Sequence, residues 1–180
     1  MSKIILVRHG QAAASWGEET DPGLSELGFE QADNIRQSLA PYQSYKVLSS
    51  PKARAIETAQ TALPEAQLEI DPRFTEIPSG DRSLAERGPW LKQIFRQSWT
   101  EQEAQVTQWR ADILRALSQQ PQDSIVFCHF VVINAVVAAA RDNERVMQCR
   151  PDYCSIWEFD CSESGIALLS EGLEDHSLVL

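Results

Sequence analysis

The sequence predicts an α/β fold in which helices cover both faces of a mostly parallel β-sheet. Short apolar segments alternate with amphipathic helical segments along the chain, which is the pattern of strand–helix–strand units. The segment Ser124–Cys128 is apolar along most of its length, as expected for a strand buried on both faces. A hairpin is predicted near the end of the chain, so the last strands of the sheet could be antiparallel.

Turn residues and hydrophobic periodicity divide the chain into elements. Strands are predicted at Lys3–Val7, Tyr45–Ser49, Leu68–Ile70, Ser124–Cys128, Tyr153–Phe159 and Ile166–Leu169, with a turn at 162–165 between the last two. Helices are predicted from the cap Ser25 to Ala40, from Pro51 to Ala62, from Pro89 to Gln97, from Glu101 to Ser118, and in an alanine- and valine-rich segment ending near Ala140. Leu27, Ile35 and Leu39 are predicted on the apolar face of the first helix, and 11–24 and 72–88 are predicted to be irregular.

The composition is that of an ordinary globular chain, with 43% hydrophobic and 23% charged residues among 180. That length predicts one domain spanning residues 1–180. No apolar run approaches the ~18 residues that cross a bilayer, so no membrane partner is expected. The apolar segment after Lys3 stops at Arg8 and is too short for a signal peptide, which favours a cytoplasmic location.

The net charge of −10 argues against a nucleic-acid partner, because such binding depends on clustered lysines and arginines. A phosphorylated substrate would also be repelled by the overall field, so it would need a local cluster of arginines. The four cysteines form no Cys-x-x-Cys pair. Free thiols in the core are favoured over a metal or redox centre, and no cofactor is expected.

Polar side chains follow three of the predicted strands, at the edge where open α/β sheets bind ligands. Arg8 and His9 follow the first strand, Arg54 lies in the first turn after the second, and His129 follows the strand that ends at Cys128. Arginine suits phosphate because its planar fork of donors matches the phosphate oxygens. Considered singly, each residue has an ordinary structural interpretation. Arg54 would be a solvated helix residue, His129 would be a structural histidine, and Glu76 would be one of many acidic residues. Their joint occurrence at strand ends favours an anion site.

Several motifs resemble those of the histidine phosphatase superfamily, whose best-known members are the cofactor-dependent phosphoglycerate mutases. The segments that carry the resemblance are Leu6-Val7-Arg8-His9-Gly10-Gln11, Leu24-Ser25-x-x-Gly28-x-x-Gln31-Ala32, Ser49-Ser50-Pro51-x-x-Arg54-Ala55-x-x-Thr58-Ala59, Phe74-x-Glu76 with Gly80, and Val126-x-x-His129. Together they cover most of residues 1–140. The resemblance implies a three-layer α/β/α sandwich, with the site at the carboxyl ends of the strands, as a single histidine phosphatase domain.

The resemblance also implies a set of catalytic residues. His9 would attack phosphorus and become a phosphohistidine, while Arg8 and Arg54 would bind the phosphate oxygens. His129 would donate a further hydrogen bond to phosphate. Glu76 would protonate the leaving oxygen and later activate water. On this mechanism no metal is required.

Three positions depart from the usual family pattern. Phe130 stands where glycine commonly follows the second histidine, Ala12 replaces a common serine or threonine, and Gln11 replaces a common glutamate. Phe130 would narrow access beside His129.

A basic stretch from Arg82 to Arg96 also contains Arg87 and Lys92. It is interpreted either as a lid that recognises an extra anionic group or as a solvated helix face.

Hydrolysis of a small phosphorylated metabolite is the favoured function. Residues 77–128 are shorter than the insertion that covers the site in the mutases, to judge from the resemblance. The alternatives are a protein phosphohistidine phosphatase, mutase-type transfer, and a phospho-ligand binding module without turnover. The sequence does not predict the oligomeric state or the role of the acidic stretch Glu171–Leu180, in which His176 is taken as a surface residue.

Overall fold

The computed structural model describes residues 1–15 and 17–175. Its strands are β1 (Ser2–Arg8), β2 (Lys46–Ser49), β3 (Leu68–Ile70), β4 (Ser124–Cys128), β5 (Ile156–Ser162) and β6 (Gly165–Ser170). Its α-helices are α1 (Glu26–Asn34), α2 (Arg36–Leu39), α3 (Ala53–Ala62), α4 (Leu84–Ile94), α5 (Ala104–Ser118) and α6 (Phe130–Ala140). Short 3₁₀ turns lie at Ala40–Tyr42, Pro72–Phe74 and Trp99–Glu101.

The six strands form one sheet in the order β3-β2-β4-β1-β5-β6. The first four strands in that order are parallel to one another, whereas β5 runs antiparallel to β1 and β6 antiparallel to β5. The predicted mostly parallel sheet is therefore confirmed, and so is the antiparallel pairing of the last strands. In this order the carboxyl ends of β2, β4 and β1 are neighbours at one edge.

Two hydrophobic layers lie on opposite faces of the sheet, which confirms the three-layer sandwich. Side chains alternate along each strand, so Ile5 and Val7 pack with residues of α2 and α3 on one face. Ile4 and Leu6 pack against α4, α5 and α6 on the other face. No helix within the described residues is long and apolar enough to cross a membrane.

The first predicted helix is interrupted, and one of its three predicted apolar positions, Leu27, is wrong, whereas Leu39 is buried and Ile35 packs with the same cluster. The helix breaks at Ile35 into α1 and α2, and Leu27 is 48% exposed. The buried side of α1 carries Gly28 and Ala32 instead. A Cβ on Gly28 would come within 2.1 Å of the Gln11 carbonyl oxygen, so the helix approaches this loop more closely than a larger side chain would allow.

Other element boundaries also differ from the prediction. Helix α4 begins at Leu84 because Ser83 and Glu86 form a capping box, and Pro89 lies inside the helix rather than at its start. Helix α3 begins at Ala53, two residues after Pro51. Strand β5 begins at Ile156, since the preceding residues form a loop against the end of β1.

Candidate active site

The carboxyl ends of β1, β2 and β4 bring the predicted side chains to one place. His9 follows β1, His129 follows β4, and their ring centroids lie 5.2 Å apart. Arg54, from the first turn of α3, places its Nε 3.1 Å from His9 Nε2. Glu76, in the loop after β3, lies 3.4 Å from His129 Nδ1. His9, Arg54 and His129 are buried, and the Glu76 side chain is 13% exposed.

The hydrogen bonds of His9 determine which ring nitrogen carries the proton. Nδ1 lies 2.7 Å from the Gly10 carbonyl oxygen, which only accepts, so Nδ1 is the protonated nitrogen. Nε2 therefore keeps its lone pair and accepts the hydrogen bond from Arg54. Burial, with Arg54 and Arg8 adding to it, holds the pKa of His9 well below its ordinary value. The ring is thus neutral at physiological pH, with an unprotonated Nε2 whose electron pair accepts from Arg54.

His129 is oriented by Ser50 at the start of the α3 motif. The Ser50 hydroxyl oxygen accepts from the Lys52 backbone N–H at 3.2 Å and lies 2.7 Å from His129 Nε2. A hydroxyl can donate to Nε2 or accept from it, and the Glu76 oxygen 3.4 Å from Nδ1 favours the arrangement in which the ring proton of His129 is on Nδ1 and Ser50 donates to Nε2. Burial and the charge of Arg54 hold the pKa of His129 well below its ordinary value. A neutral ring with a buried N–H donor results.

Three buried nitrogen atoms in this cluster lack hydrogen-bond partners among the described residues: Arg8 Nε, Arg54 Nη1 and His129 Nδ1. A buried donor left without an acceptor costs about 1–3 kcal/mol. Arg8 and Arg54 line the same cavity, so an anion with several oxygens there would meet both guanidiniums, with His129 behind them. The unmet hydrogen bonds therefore favour a phosphate-like ligand.

Glu76 lies where it can exchange a proton with a ligand. Its Oε1 accepts the Ile77 backbone N–H at 3.0 Å, and its Oε2 lies 3.6 Å from Arg54 Nη2. Burial raises the pKa of Glu76, although Arg54 opposes that shift. A carboxyl with a raised pKa is suited to act as an acid closer to neutrality.

A cavity of about 280 Å³ opens above Arg8, His9, Arg54 and Glu76, whereas His129 is fully buried and lies outside its lining. Arg8, His9, Arg54 and Glu76 line its floor, and its walls are formed by Gln11, Ala12, Ala13, Ala14, Ser15, Glu18, Phe130 and Tyr153. The volume is at the lower end of the range for small-molecule sites.

The profile of the histidine phosphatase superfamily (branch 1) matches residues 4–173. The chain belongs to this superfamily. The family assignment thereby confirms the resemblance that the motifs predict.

Proteins similar to this chain have several named activities. A glucosyl-3-phosphoglycerate phosphatase from Mycolicibacterium vanbaalenii is 35% identical in an alignment of 86 residues. The alignment covers 44% of this chain but only 38% of that relative. The phosphoserine phosphatase of Entamoeba histolytica, solved with 3-phosphoglyceric acid, has a TM-score of 0.73 at 20% identity, over 99% of this chain and 100% of that one. The phosphoglycerate mutase of Thermus thermophilus has a TM-score of 0.70 at 21% identity, and the match covers 96% of this chain and 99% of that one. The two solved structures are similar in fold.

The structure brings together all five residues predicted from the sequence, Arg8, His9, Arg54, Glu76 and His129. Phe130 lines the cavity as expected, with its ring 5.3 Å from the Arg8 guanidinium carbon. The basic stretch from Arg82 to Arg96 is absent from the cavity lining. Arg82 in that stretch pairs with Glu103 and lies 4.4 Å from the Trp90 ring. His176 lies outside the described residues.

His9, Glu76 and His129 also form a group whose ligand atoms lie within 4.8 Å of one another, a spacing that suits a metal ion. The surroundings do not fit a cation. Arg54 donates to His9 Nε2 and lies 3.6 Å from Glu76 Oε2, so a divalent ion would meet a fixed positive charge. The donor set fits an anion better.

Sequence reasoning missed the groups that hold Arg8. Its Nη1 donates to the Pro151 carbonyl oxygen at 2.7 Å, and its guanidinium carbon lies 4.0 Å from the centre of the Tyr153 ring. Cys154 adopts a left-handed conformation with φ of 56°, and its N–H bonds to the Arg8 carbonyl. That positive φ marks a tight turn, but no pattern in the sequence connects it with Arg8.

Proposed function

We propose that this chain hydrolyses small phosphomonoesters through a phosphohistidine formed on His9, without a metal ion. The observation that carries this proposal is the His9 ring: its Nδ1 proton is bound to Gly10, and its Nε2 lone pair faces a hollow with two guanidiniums. Such a hollow offers what phosphoryl transfer needs, namely positioning and neutralisation of charge. The named activities of the relatives also support a phosphatase.

In the first step the Arg54 Nε–H turns from His9 Nε2 to a phosphoryl oxygen, and Nε2 attacks phosphorus as the bond from phosphorus to the leaving oxygen breaks. The Glu76 carboxyl gives its proton to that oxygen, so the alcohol leaves neutral and Glu76 becomes a carboxylate. Arg8, Arg54 and the Nδ1–H of His129 hold the phosphoryl oxygens during this step. The donors that lack partners in the free protein supply these contacts.

In the second step water attacks the phosphoryl group on His9. The Glu76 carboxylate accepts a proton from the water, the bond from Nε2 to phosphorus breaks, and inorganic phosphate leaves. Ser50 keeps the His129 proton on Nδ1 throughout, because its hydroxyl donates to Nε2. The enzyme returns to its starting protonation state, so each turnover converts one ester and one water molecule into the alcohol and inorganic phosphate.

The test is hydrolysis of an aryl phosphate by the wild type and by His9→Ala. We expect turnover that depends on His9 and, after rapid quenching, an acid-labile phosphoryl adduct on that residue. Thermal unfolding of both proteins checks that the variant is folded. Turnover that persists in a folded His9→Ala variant would contradict the proposal.

Three other functions are distinguished when the same proteins are tested with further ligands and substrates. A binding module would bind inorganic phosphate without turning over any ester, and Phe130 in the cavity wall is the feature that favours it. A mutase would return the phosphoryl group to a phosphoglycerate rather than to water. A protein phosphohistidine phosphatase would prefer a phosphohistidine peptide. The cytoplasmic location and the absence of a nucleic-acid partner stay predictions.

A further inference from the structure

Both positive charges that line the cavity lie at its floor, where the phosphate group would bind. Among the described residues, the cationic side chains that line the cavity are those of Arg8 and Arg54. Arg54 is bound to His9 and lies near Glu76 and Asp21. Arg8 is fixed by the Pro151 carbonyl and the Tyr153 ring. A bound phosphate dianion would take up both charges, so none remains for a second anionic group.

Among the described residues no other lysine or arginine lines this cavity, and Lys52, whose charge adds to the burial that lowers the pKa of His129, lies outside the lining. The basic stretch from Arg82 to Arg96 is absent from the lining, and its Arg82 is paired with Glu103. Trp16 and residues 176–180, which lie outside the described residues, include no lysine or arginine. Recognition of a carboxylate or second phosphate on the substrate therefore lacks a cationic partner.

The mouth of the cavity is acidic. The loop 11–24 contains Glu18, Glu19 and Asp21 but no lysine or arginine. Glu18 lines the cavity, and its carboxylate accepts the Ser15 backbone N–H at 3.0 Å. That hydrogen bond lowers the pKa of Glu18, so the group is ionised at neutral pH. The rest of the upper wall is neutral, with three alanines and two aromatic rings.

From this distribution of charge we infer that the site selects phosphomonoesters whose alcohol carries no negative charge, and that a positively charged alcohol is accepted best. The inference rests on the proposed phosphatase activity and narrows its substrate class. It also disfavours the interpretation of residues 82–96 as a lid for an extra anionic group, since none of them lines the cavity. Like charges at the cavity mouth repel an acidic alcohol, whereas Glu18 attracts an ammonium group.

The experiment compares three phosphate esters of similar size: aminoethyl phosphate, hydroxyethyl phosphate and carboxymethyl phosphate. We expect kcat/KM to decrease in that order, with about a tenfold difference between the ends of the series, because the two end members carry opposite charges past the same rim carboxylate. Raising the ionic strength should narrow the difference. Nitrophenyl phosphate, whose leaving group is uncharged when bound, reports the basal activity.

Charge reversal at the rim sharpens the test. Glu18→Lys should shift the ratio of aminoethyl to carboxymethyl phosphate hydrolysis toward the acidic ester by about three- to tenfold. Glu19→Lys is the matched control, since it makes the same change at the neighbouring exposed position outside the cavity lining. That variant should leave the ratio close to the wild-type value.

The possible outcomes separate this inference from the proposed function. If carboxymethyl phosphate is hydrolysed as fast as the other two esters while nitrophenyl phosphate turnover depends on His9, the charge selection is wrong and the phosphatase proposal stands. If Glu18→Lys and Glu19→Lys shift the ratio equally, the cavity rim is not the selecting element and the inference is overturned. If no ester is turned over, both proposals are wrong.

Discussion

Arg54 and Arg8 bring a guanidinium to the same hollow, but Arg54 is held by charged groups, whereas Arg8 is held by neutral ones. Arg54 lies 3.6 Å from a Glu76 carboxylate oxygen and 3.9 Å from one of Asp21. Arg8 has a backbone carbonyl and two aromatic rings around it. Burial accordingly lowers the pKa of Arg8, which no close carboxylate offsets fully.

This difference assigns separate tasks to the two arginines. Arg54 contacts His9 and Glu76, and among the neighbouring charges it has the largest influence on the pKa of each. Its position therefore affects the protonation states on which the chemistry depends. Arg8 lacks an ion-pair partner at hydrogen-bonding distance among the described residues, so its charge is available to the incoming phosphate. Arg54 is expected to influence mainly the chemical step, and Arg8 mainly binding.

The largest effect is expected for Glu76→Gln, which removes the proton donor next to Arg54. For an alkyl phosphate, kcat/KM should fall by about a hundred- to ten-thousandfold, the usual contribution of a positioned acid. Nitrophenyl phosphate should lose much less, because its leaving group needs no proton. Glu69→Gln, an exposed carboxylate paired with Lys46, is the matched control. Equal losses on both substrates would show that Glu76 acts by packing rather than as an acid.

The pH profile of the wild type tests the same assignment. Because burial raises the pKa of Glu76, the decline of kcat/KM with rising pH should lie above the ordinary range of a glutamate. Because burial and two arginines lower the pKa of His9, the decline toward acid should lie below the ordinary range of a histidine. In Glu76→Gln only the acid-side decline should remain.

The pair Arg54→Gln and Arg8→Gln tests the comparison directly. Each variant should lose about ten- to a hundredfold in kcat/KM, since hydrogen bonds to charged groups contribute ~1.5–3 kcal/mol. Arg54→Gln removes the positive charge that most lowers the pKa of His9 and Glu76, so both limbs of its pH profile should move to higher pH. Arg8→Gln should move them less and should raise KM more. Identical profiles would show that the two arginines do not differ in role.

The comparison also explains how much of the site the sequence predicts. Ser50, Arg54 and Thr58 lie within one short motif, so the spacing on α3 predicts them together, and Thr58 indeed accepts the Gly10 N–H. Pro151 lies 143 residues from Arg8, and nothing local in the sequence connects them. The buried face of α1 was missed for a related reason. Its contact depends on the absence of a side chain at Gly28, which hydrophobic periodicity does not register.

A smaller effect is expected at Tyr153, whose ring lies 4.0 Å from the Arg8 guanidinium carbon. Tyr153→Leu should raise KM about two- to tenfold with little change in kcat, since a cation–π contact contributes ~0.5–2 kcal/mol. Tyr153→Phe keeps the ring and should restore the wild-type KM. If Phe is as impaired as Leu, the hydroxyl rather than the ring positions Arg8.

The smallest effect is expected for Gly172→Ala in the C-terminal stretch. Residues 171–175 hold the loop behind Arg8 through backbone bonds from Asp152 N–H to Leu173 and from Asp175 N–H to Arg150. A Cβ at Gly172 would come within 2.5 Å of the Trp157 indole nitrogen and 2.8 Å of the Ile156 carbonyl oxygen. The stretch would have to move, at a cost of ~1–3 kcal/mol in unfolding free energy.

We expect KM of Gly172→Ala to rise about twofold, less than the effect of losing the Tyr153 ring contact, because the loop shifts only as far as its remaining bonds allow. Gly88→Ala is the matched control, since no atom lies within 4 Å of a Cβ there and alanine favours the interior of α4. Steady-state kinetics and thermal unfolding of both variants give the result. A lowered melting temperature of Gly172→Ala with an unchanged KM would mean that the C-terminal stretch stabilises the fold without positioning Arg8, and the neutral contacts of Arg8 would then be set by the Pro151–Ser155 loop alone.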